Sequence, residues 1–392
     1  MTRTILVAGA GIGGLCAALG LQNAGFRVLV FEQAKEFGQV GAGITIGLTA
    51  SRALDFLGIG ETVRAAADRP KRPVIAHYKT GRPVADYRSD EDAPFDPSVS
   101  FHQLHRADLH AILVDAVRAR DPDAILPGHE FSGAAQTPEG VIVSLADGGT
   151  FRGDALIGCD GLRSLVRVQA FGDENPRFTG QVAWRFLIPA ESVEPFLSLG
   201  ESAYYIGPQR SLLRYLVRRR TLLNAVAFVA TDTWTEEGWS IRSSRAELLE
   251  HFDGWNEDVL GLIRNAPQDR IYKWALFDRE PRDVWSDRRV TLLGDAAHPM
   301  LPFLGLGAAM AIEDAVLLAR AMAATDDIAH AFKIYEAARR ERTAGVLRAS
   351  RRQGEIFNTV DPDRYQATER PTADVSLYAY DAAAVSLPVV QQ

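Results

Sequence analysis

Asp295 closes a short apolar run, Val290 to Leu293, in the stretch VTLLGDAAHPMLPFLGLGAAMAIEDA. A loop rich in proline and glycine follows, and then an amphipathic helical pattern opens at Gly307 and Ala308. An acid at a strand end can accept hydrogen bonds from the hydroxyls of a polyol. A helix start offers free backbone N–H groups and the positive end of a dipole. The stretch therefore suits one ligand that carries both hydroxyls and an electron-rich head. The rest of such a ligand needs a second site.

The first residues offer one. Thr4 to Ala8 reads as a buried strand and runs into Gly9-Ala10-Gly11-Ile12-Gly13-Gly14. A helical pattern follows (Leu15, Ala18, Leu19, Leu21, Gln22) and stops at Gly25, and a second apolar strand from Arg27 to Phe31 ends on Glu32. This is the βαβ dinucleotide fingerprint in its required context. Gly9 permits the tight turn, Gly11 lets the backbone approach a pyrophosphate, and Gly14 allows helix to pack closely on strand. The pyrophosphate sits on the helix N-terminus, and Glu32 is placed to accept from an adenosine ribose. The fingerprint is common to FAD and NAD sites. A second Gly-rich loop, Gly38 to Gly47, contains Gly43.

The 392 residues allow one large domain or two interleaved ones. Apolar content of 47% and charged content of 24% are those of a soluble globular protein. A net charge of −7 argues against a nucleic-acid binder. Cys16 and Cys159 read as buried thiols in a reducing compartment. No metal-ligand spacing and no signal peptide are legible. The apolar run Met300 to Ala324 is broken by Glu313, Asp314 and Arg320, so it reads as a core helix rather than a membrane span. The expected location is the cytoplasm.

Between the two sites the texture changes. Pro70 to Pro97 reads as an excursion, a β-ribbon, and Ala107 to Arg118 as a helix. Arg106, just before it, is either a surface arginine or a partner for a phosphate or ring carbonyl. Val141 to Leu145 with Asp147-Gly148-Gly149 gives a hairpin signal. Asp160-Gly161 makes a turn, and Ser164 and Arg167 open a helix. Strand-like runs recur at Val182–Ile188, Ser202–Ile206, Leu212–Val217, Leu222–Val229 and Tyr272–Phe277, the pattern of a mostly antiparallel sheet. Leu248 to Ile263 reads as one helical segment, and Arg218-Arg219-Arg220 as a solvated turn. Ala329 to Glu355 reads as a long amphipathic helix whose arginines, Arg339, Arg340, Arg342, Arg348, Arg351 and Arg352, mark a solvated face. Beyond Asn358 the chain reads as a tail or a docking segment.

The ordered motifs GAGIGG with Glu32, CDGLRSLVR and LLGDAAHPMLP resemble those of the FAD-dependent aromatic-ring hydroxylases, with smaller matches at HRADLH, AWR and YKWALFDREP. The resemblance spans nearly the whole chain. It implies an α/β fold: a Rossmann-type FAD-binding domain (1–72, 98–177 and 278–327), an inserted, mostly antiparallel β-sheet substrate domain (73–97 and 178–277), and a C-terminal helix and tail (328–392). It implies that Gly9, Gly11, Gly13, Gly14, Glu32, Gly43, Arg106, Asp160, Asp295, Gly307 and Ala308 bind FAD, held tightly and non-covalently. It implies hydroxylation of a small aromatic or heteroaromatic substrate, with NADH or NADPH and O2, through a flavin C4a-hydroperoxide. A homodimer is possible, and neither nucleic acid nor membrane is expected as a partner.

Tyr215, Ser211 and Pro302 are the candidates at the reacting ring. The family's best-matching motif, GPxxHxxxYP, reads here from Gly207 to Leu216: Tyr215 is kept, Ser211 replaces the histidine and Leu216 the second proline. Leu306 replaces a glutamine of the flavin loop, and Leu48-Thr49 replace Pro-Asn. These changes imply a more apolar pocket, in which either the substrate ionises without a base or its base comes from elsewhere, with His102 and His298 as possible sources. They also leave open oxidation or epoxidation of a non-phenolic substrate, or a non-catalytic FAD-binding protein.

Overall fold

The runs Thr4–Ala8, Arg27–Glu32 and Ala155–Gly158 are apolar with little alternation, as strands covered on both faces must be. In a computed structural model of the chain they lie side by side in a six-stranded sheet. The structure describes residues 2–38, 42–69, 74–85, 101–172, 175–232, 234, 241–359, 361–364 and 375–391. The spatial order is Ser286–Asp287, Val290–Leu292, Ala155–Gly158, Thr4–Ala8, Arg27–Glu32, Ile125–Pro127, parallel throughout except at the Ser286–Asp287 edge. Helices Ile12–Asn23 and Gly307–Ala324 pack against each other and carry much of the main core, with Leu15, Leu19, Ile312 and Val316 all buried.

A second sheet has eight strands in the order Ile241–Arg242, Tyr272–Asp278, Arg177–Pro189, Leu222–Ala230, Arg210–Val217, Ser202–Gly207, Val74–His77, Pro83–Ala85. Its pairings are antiparallel except where Ser202–Gly207 meets Val74–His77. One face packs on helices Arg245–His251 and Glu257–Asn265, with Phe252 and Leu262 buried against Trp184, Tyr205 and Leu212. The other carries Ala183, Tyr204, Phe228 and Trp274 and meets Leu301 and Phe357. The expected α/β fold, with a parallel Rossmann-like sheet, an antiparallel second sheet and a long C-terminal helix, is the observed one. Of the expected excursion, Val74–His77 and Pro83–Ala85 are strands of the second sheet, and residues 86–100 lie outside the described residues.

Four readings change or sharpen. Leu248 to Ile263 is two helices, with Gly254 at φ 74° between them. The Arg218-Arg219-Arg220 turn is solvated at Arg219 and Arg220, as expected, but it is also strained and tied down. All three residues take positive φ (55°, 54° and 65°), a strained state for residues with a side chain. Arg218 forks onto Asp108 at 2.8 and 3.1 Å, and Arg220 pairs with Glu201. Of the two alternatives for the end of the chain, docking is observed: Arg320 donates to the Ala382 carbonyl at 2.7 Å, and Leu377 and Ala382 join the main core.

The fourth change concerns the helix Ile328–Thr359. Its arginines do not form one solvated face. Arg339 is fully buried and meets Glu313 at 2.7 Å and Asp314 at 2.6 Å, while Arg342 meets Glu313 at 3.0 Å. Arg351 reaches Asp278 and Glu280. Glu313 and Asp314 sit on the Gly307–Ala324 helix, so this ion cluster joins the two long helices. Removing one partner of a buried cluster leaves charges in a dry interior and costs about 3–5 kcal/mol. Arg339→Met in the FAD-loaded protein should lower unfolding free energy in urea by about that amount; a loss below about 1 kcal/mol would refute the cluster's role.

Asp314 gives a pH test. Burial raises its carboxyl, but His298 and Arg339 outweigh that and hold it down at about 2. Its folded pKa thus lies below the unfolded value near ~3.9. Its contribution is complete above the unfolded value and is lost as pH falls towards 2. Unfolding midpoints measured between neutral and acid pH should fall more steeply below pH ~4 in wild type than in Asp314→Asn.

Candidate functional site

The N-terminal turn is compressed. Gly9 has φ 102°, and a Cβ there would lie 2.5 Å from the Cys159 carbonyl oxygen; a Cβ on Gly14 would lie 2.0 Å from the Gly9 oxygen. Side chains then brace Ala10 from both sides. Its N–H donates to Glu32 Oε2 at 3.0 Å, and its carbonyl lies 2.7 Å from His110 Nε2. Glu32 also accepts from the Ala34 N–H at 2.9 Å. The helix opening after Gly11 has no side-chain cap, and a Cβ on Gly11 would meet nothing within 4 Å. Gly13 instead faces Leu293 and Ala311, the strand and helix of the second motif. His110 lies inside HRADLH but has no sequence signal for this role.

Asp160 ties its own turn together. It accepts from Ser164 Oγ at 2.5 Å and from the Val166 N–H at 3.0 Å, and burial raises its pKa. Arg167, fully buried, donates to the carbonyls of Ala296 and Ala297 at 3.1 and 3.0 Å. The CDGLRSLVR motif therefore bolts onto the turn that carries Asp295. Sequence reading assigned Arg167 only a place at a helix start.

Asp295 itself makes no hydrogen bond among the described residues and is open to solvent. The protein around it still removes enough water to raise its pKa, while His298 and Arg106 pull the other way. The Arg106 side chain is likewise exposed and carries no hydrogen bond among the described residues; its backbone N–H is held by the Ala42 carbonyl at 2.8 Å. The Gly307–Ala324 helix opens without a side-chain cap. Pro302, exposed, begins the short turn Pro302–Leu304, and a Cβ on Gly305 would lie 3.9 Å from Thr45. An acid and a cation without partners among the described residues and two uncapped helix starts fit an anionic, hydroxyl-bearing cofactor such as FAD, whose pyrophosphate would meet the start after Gly11.

At the ring end, a Cβ on Gly43 would lie 2.4 Å from Tyr215 Cε2, so Gly43 makes room for that ring. The Gly43 N–H donates to Asn224 Oδ1 at 2.8 Å. Tyr215 is buried, which pushes its pKa up, and Thr45 is its hydrogen-bonding neighbour. Arg185 lies with its guanidinium 4.3 Å from the Trp274 ring centre, and its Nε is buried without a partner. Burial and the nearby Arg106 lower its pKa to about 10, with Tyr215 opposing. Arg185 lies in the AWR motif, where its residue type and spacing carry no signal for this role. Ser211, fully buried, lies 3.0 Å from the Tyr204 hydroxyl.

Neither candidate histidine joins this group. His298 Nε2 lies 2.6 Å from Asp314. His102 pairs opposite Ile46 in the ribbon formed by Gly43–Ile46 and His102–His105, on the face turned from Thr45. Leu306 is buried and belongs to the main core cluster.

The FAD binding domain family matches residues 2–350. The 3-amino-4-hydroxybenzoate 2-monooxygenase PtnB3 of Streptomyces platensis is 34% identical over 389 residues, 97% of each chain. The 6-hydroxynicotinate 3-monooxygenase of Pseudomonas fluorescens is 34% identical over 363 residues, 91% of this chain and 93% of that one. A salicylate hydroxylase–substrate complex superposes with a TM-score of 0.81 at 27% identity, over 98% of this chain and 97% of that one. The HpxO protein of Klebsiella pneumoniae, solved with FAD and uric acid, gives 0.80 at 25% identity, over 97% and 93%. With the paired helix starts and the free Asp295, these matches place the chain in the FAD-binding aromatic hydroxylase family, as an FAD-dependent flavoprotein monooxygenase.

Proposed function

We propose that this monooxygenase hydroxylates a small aromatic or heteroaromatic ring bearing an anionic group, with NAD(P)H and O2 as co-substrates. Bound FAD supplies the redox chemistry, taking electrons from NAD(P)H and delivering them to O2. The chain's residues supply position, charge and dryness. Gly11 and the uncapped helix after it would take the pyrophosphate, braced by Glu32 through Ala10. Asp295 and Arg106 would hold the ribityl side, and the N–H groups at Gly307 and Ala308 favour negative charge on the flavin. Phe228 and Phe303, 5.0 Å apart, wall the ring end against water.

The observation that carries the substrate reading is Arg185. A guanidinium with a dry, unpartnered Nε, beside a second arginine, gains most from an anion. It lies on Trp274 and next to Tyr215, so a carboxylate bound there would set its ring on the apolar sheet face. The relatives named for aminohydroxybenzoate and hydroxynicotinate support the same class.

The test uses FAD-loaded protein, NADH or NADPH, labelled O2 and a panel holding 3-hydroxybenzoate, salicylate, 6-hydroxynicotinate and 3-amino-4-hydroxybenzoate. One member should take up label; reduction that yields only peroxide with every ring would overturn the reading. Arg185→Met should raise KM for the carboxylated ring by about 10- to 100-fold with FAD content unchanged. An equal effect on the ring lacking its carboxylate would remove Arg185 from anion binding.

A further inference from the structure

Resting on the placement of the FAD pyrophosphate at Gly11, we infer that His110 is a positioning residue for the cofactor. Its imidazole holds the Ala10–Gly11 peptide so that the Gly11 N–H faces that pyrophosphate. The geometry starts from the planarity of the peptide bond. In a trans unit the carbonyl and the N–H that follows it point in opposite directions, and no cis bond occurs among the described residues. The Ala10 carbonyl lies 2.7 Å from His110 Nε2. A carbonyl only accepts, so Nε2 carries the proton of this bond, whether the ring is neutral or charged. The Gly11 N–H of the same unit therefore points away from His110. It has no partner among the described residues. The space over Gly11 is open, since a Cβ there would meet nothing within 4 Å.

The preceding peptide is held in the same way. The Ala10 N–H donates to Glu32 Oε2 at 3.0 Å, so the Gly9 carbonyl points the other way, towards the start of the helix. That is the oxygen a Cβ on Gly14 would meet at 2.0 Å. Two consecutive peptide planes are thus set by two side chains. One is an acid at the end of the strand Arg27–Glu32, the other an imidazole on the helix Arg106–Arg118. Ala10 is buried. Without the imidazole its carbonyl would be left unpaired in a dry place, a loss greater than the bond itself is worth, and the plane would turn to find a partner. His110 is itself held. Phe37, in the segment that follows Glu32, meets its ring at 4.8 Å. Leu109 and Leu113 bury the helix on which it stands. Arg106 and His110 stand at i and i+4, on one face of that helix. The helix therefore carries a cation at its start and, one turn on, the ring that orients the phosphate turn.

The experiment measures FAD affinity of the full chain by flavin fluorescence, in His110→Gln, His110→Asn and His110→Leu. A glutamine can set an amide N–H close to the Nε2 position; asparagine and leucine cannot. His110→Asn and His110→Leu should raise the FAD Kd about tenfold, while His110→Gln stays within about threefold of wild type. ADP, which carries the pyrophosphate without the flavin, should lose the same factor when it competes with FAD. An unchanged affinity in His110→Asn, an equal loss in the glutamine and asparagine variants, or a loss for FAD that ADP does not share would overturn the inference. If His110→Leu does not fold, the contrast between glutamine and asparagine, both polar and uncharged, decides the matter. Gly11→Ala tests the placement of the pyrophosphate separately. Its methyl group meets no protein atom within 4 Å, so it weakens FAD only by standing where the pyrophosphate must approach. If Gly11→Ala binds FAD as wild type does, the placement fails and the role of His110 with it. If Gly11→Ala loses affinity and the histidine variants keep theirs, the role of His110 alone fails.

Discussion

Everything at the flavin end depends on one buried carboxylate. Asp314 is fully buried and accepts from three directions: His298 at 2.6 Å, the Gly294 N–H at 3.0 Å and Arg339 at 2.6 Å. An ionised acid is stable in a dry interior only when its partners are this close. The consequence is a fixed position for Gly294. Arg167 pins the same turn from the opposite side through the Ala296 and Ala297 carbonyls. Between these two clamps Asp295 is left with no protein partner. The two acids of this region therefore have opposite duties: one is spent on the fold, and its neutralisation leaves the other free for a ligand.

The phosphate turn and the Asp295 stretch were legible in the sequence because their constraints are local. A glycine whose Cβ would strike a carbonyl a few residues away announces itself by type and spacing, as Gly14 does against the Gly9 oxygen, and the left-handed turn at Gly9 is equally local. A strand, an acid and a helix start in succession do the same. The site's other parts depend on contacts between distant segments. Arg339 has the sequence context of a solvated helix face, and only the packing of two helices shows that it is buried with Glu313 and Asp314. Leu306, at the start of the helix Gly307–Ala324, is buried in the main core, which its place in a Gly-rich loop does not announce. Tyr204 and Ser211 meet diagonally across a hairpin, a contact that needs both the register and the side-chain positions.

The site is shared between two sheets, so its geometry is only as definite as the seam between them. Two contacts stiffen that seam. Asn224 takes the Gly43 N–H, and the Arg218 fork takes Asp108. The Arg218 contact explains the strained turn. Asp108 lies in the first turn of the helix that begins with Arg106, so the hairpin tip grips the element that aims that cation. Strain in three successive left-handed residues is tolerable where a bidentate, charge-assisted bond holds the tip in place.

Charge then decides what the seam is built to receive. Arg106 and Arg185 lie close enough to depress the ionisation of Arg185, and Asp295 is the acid facing Arg106. Like charges in a partly dry site repel by several times more than they would in water. The arrangement is least favourable when empty and improves with each anionic group that enters. Arg106 sits on the flavin side with Asp295; Arg185 lies on the sheet, over Trp274, turned to the ring end. The two cations therefore repel each other, and an anion beside either one would relieve part of that repulsion.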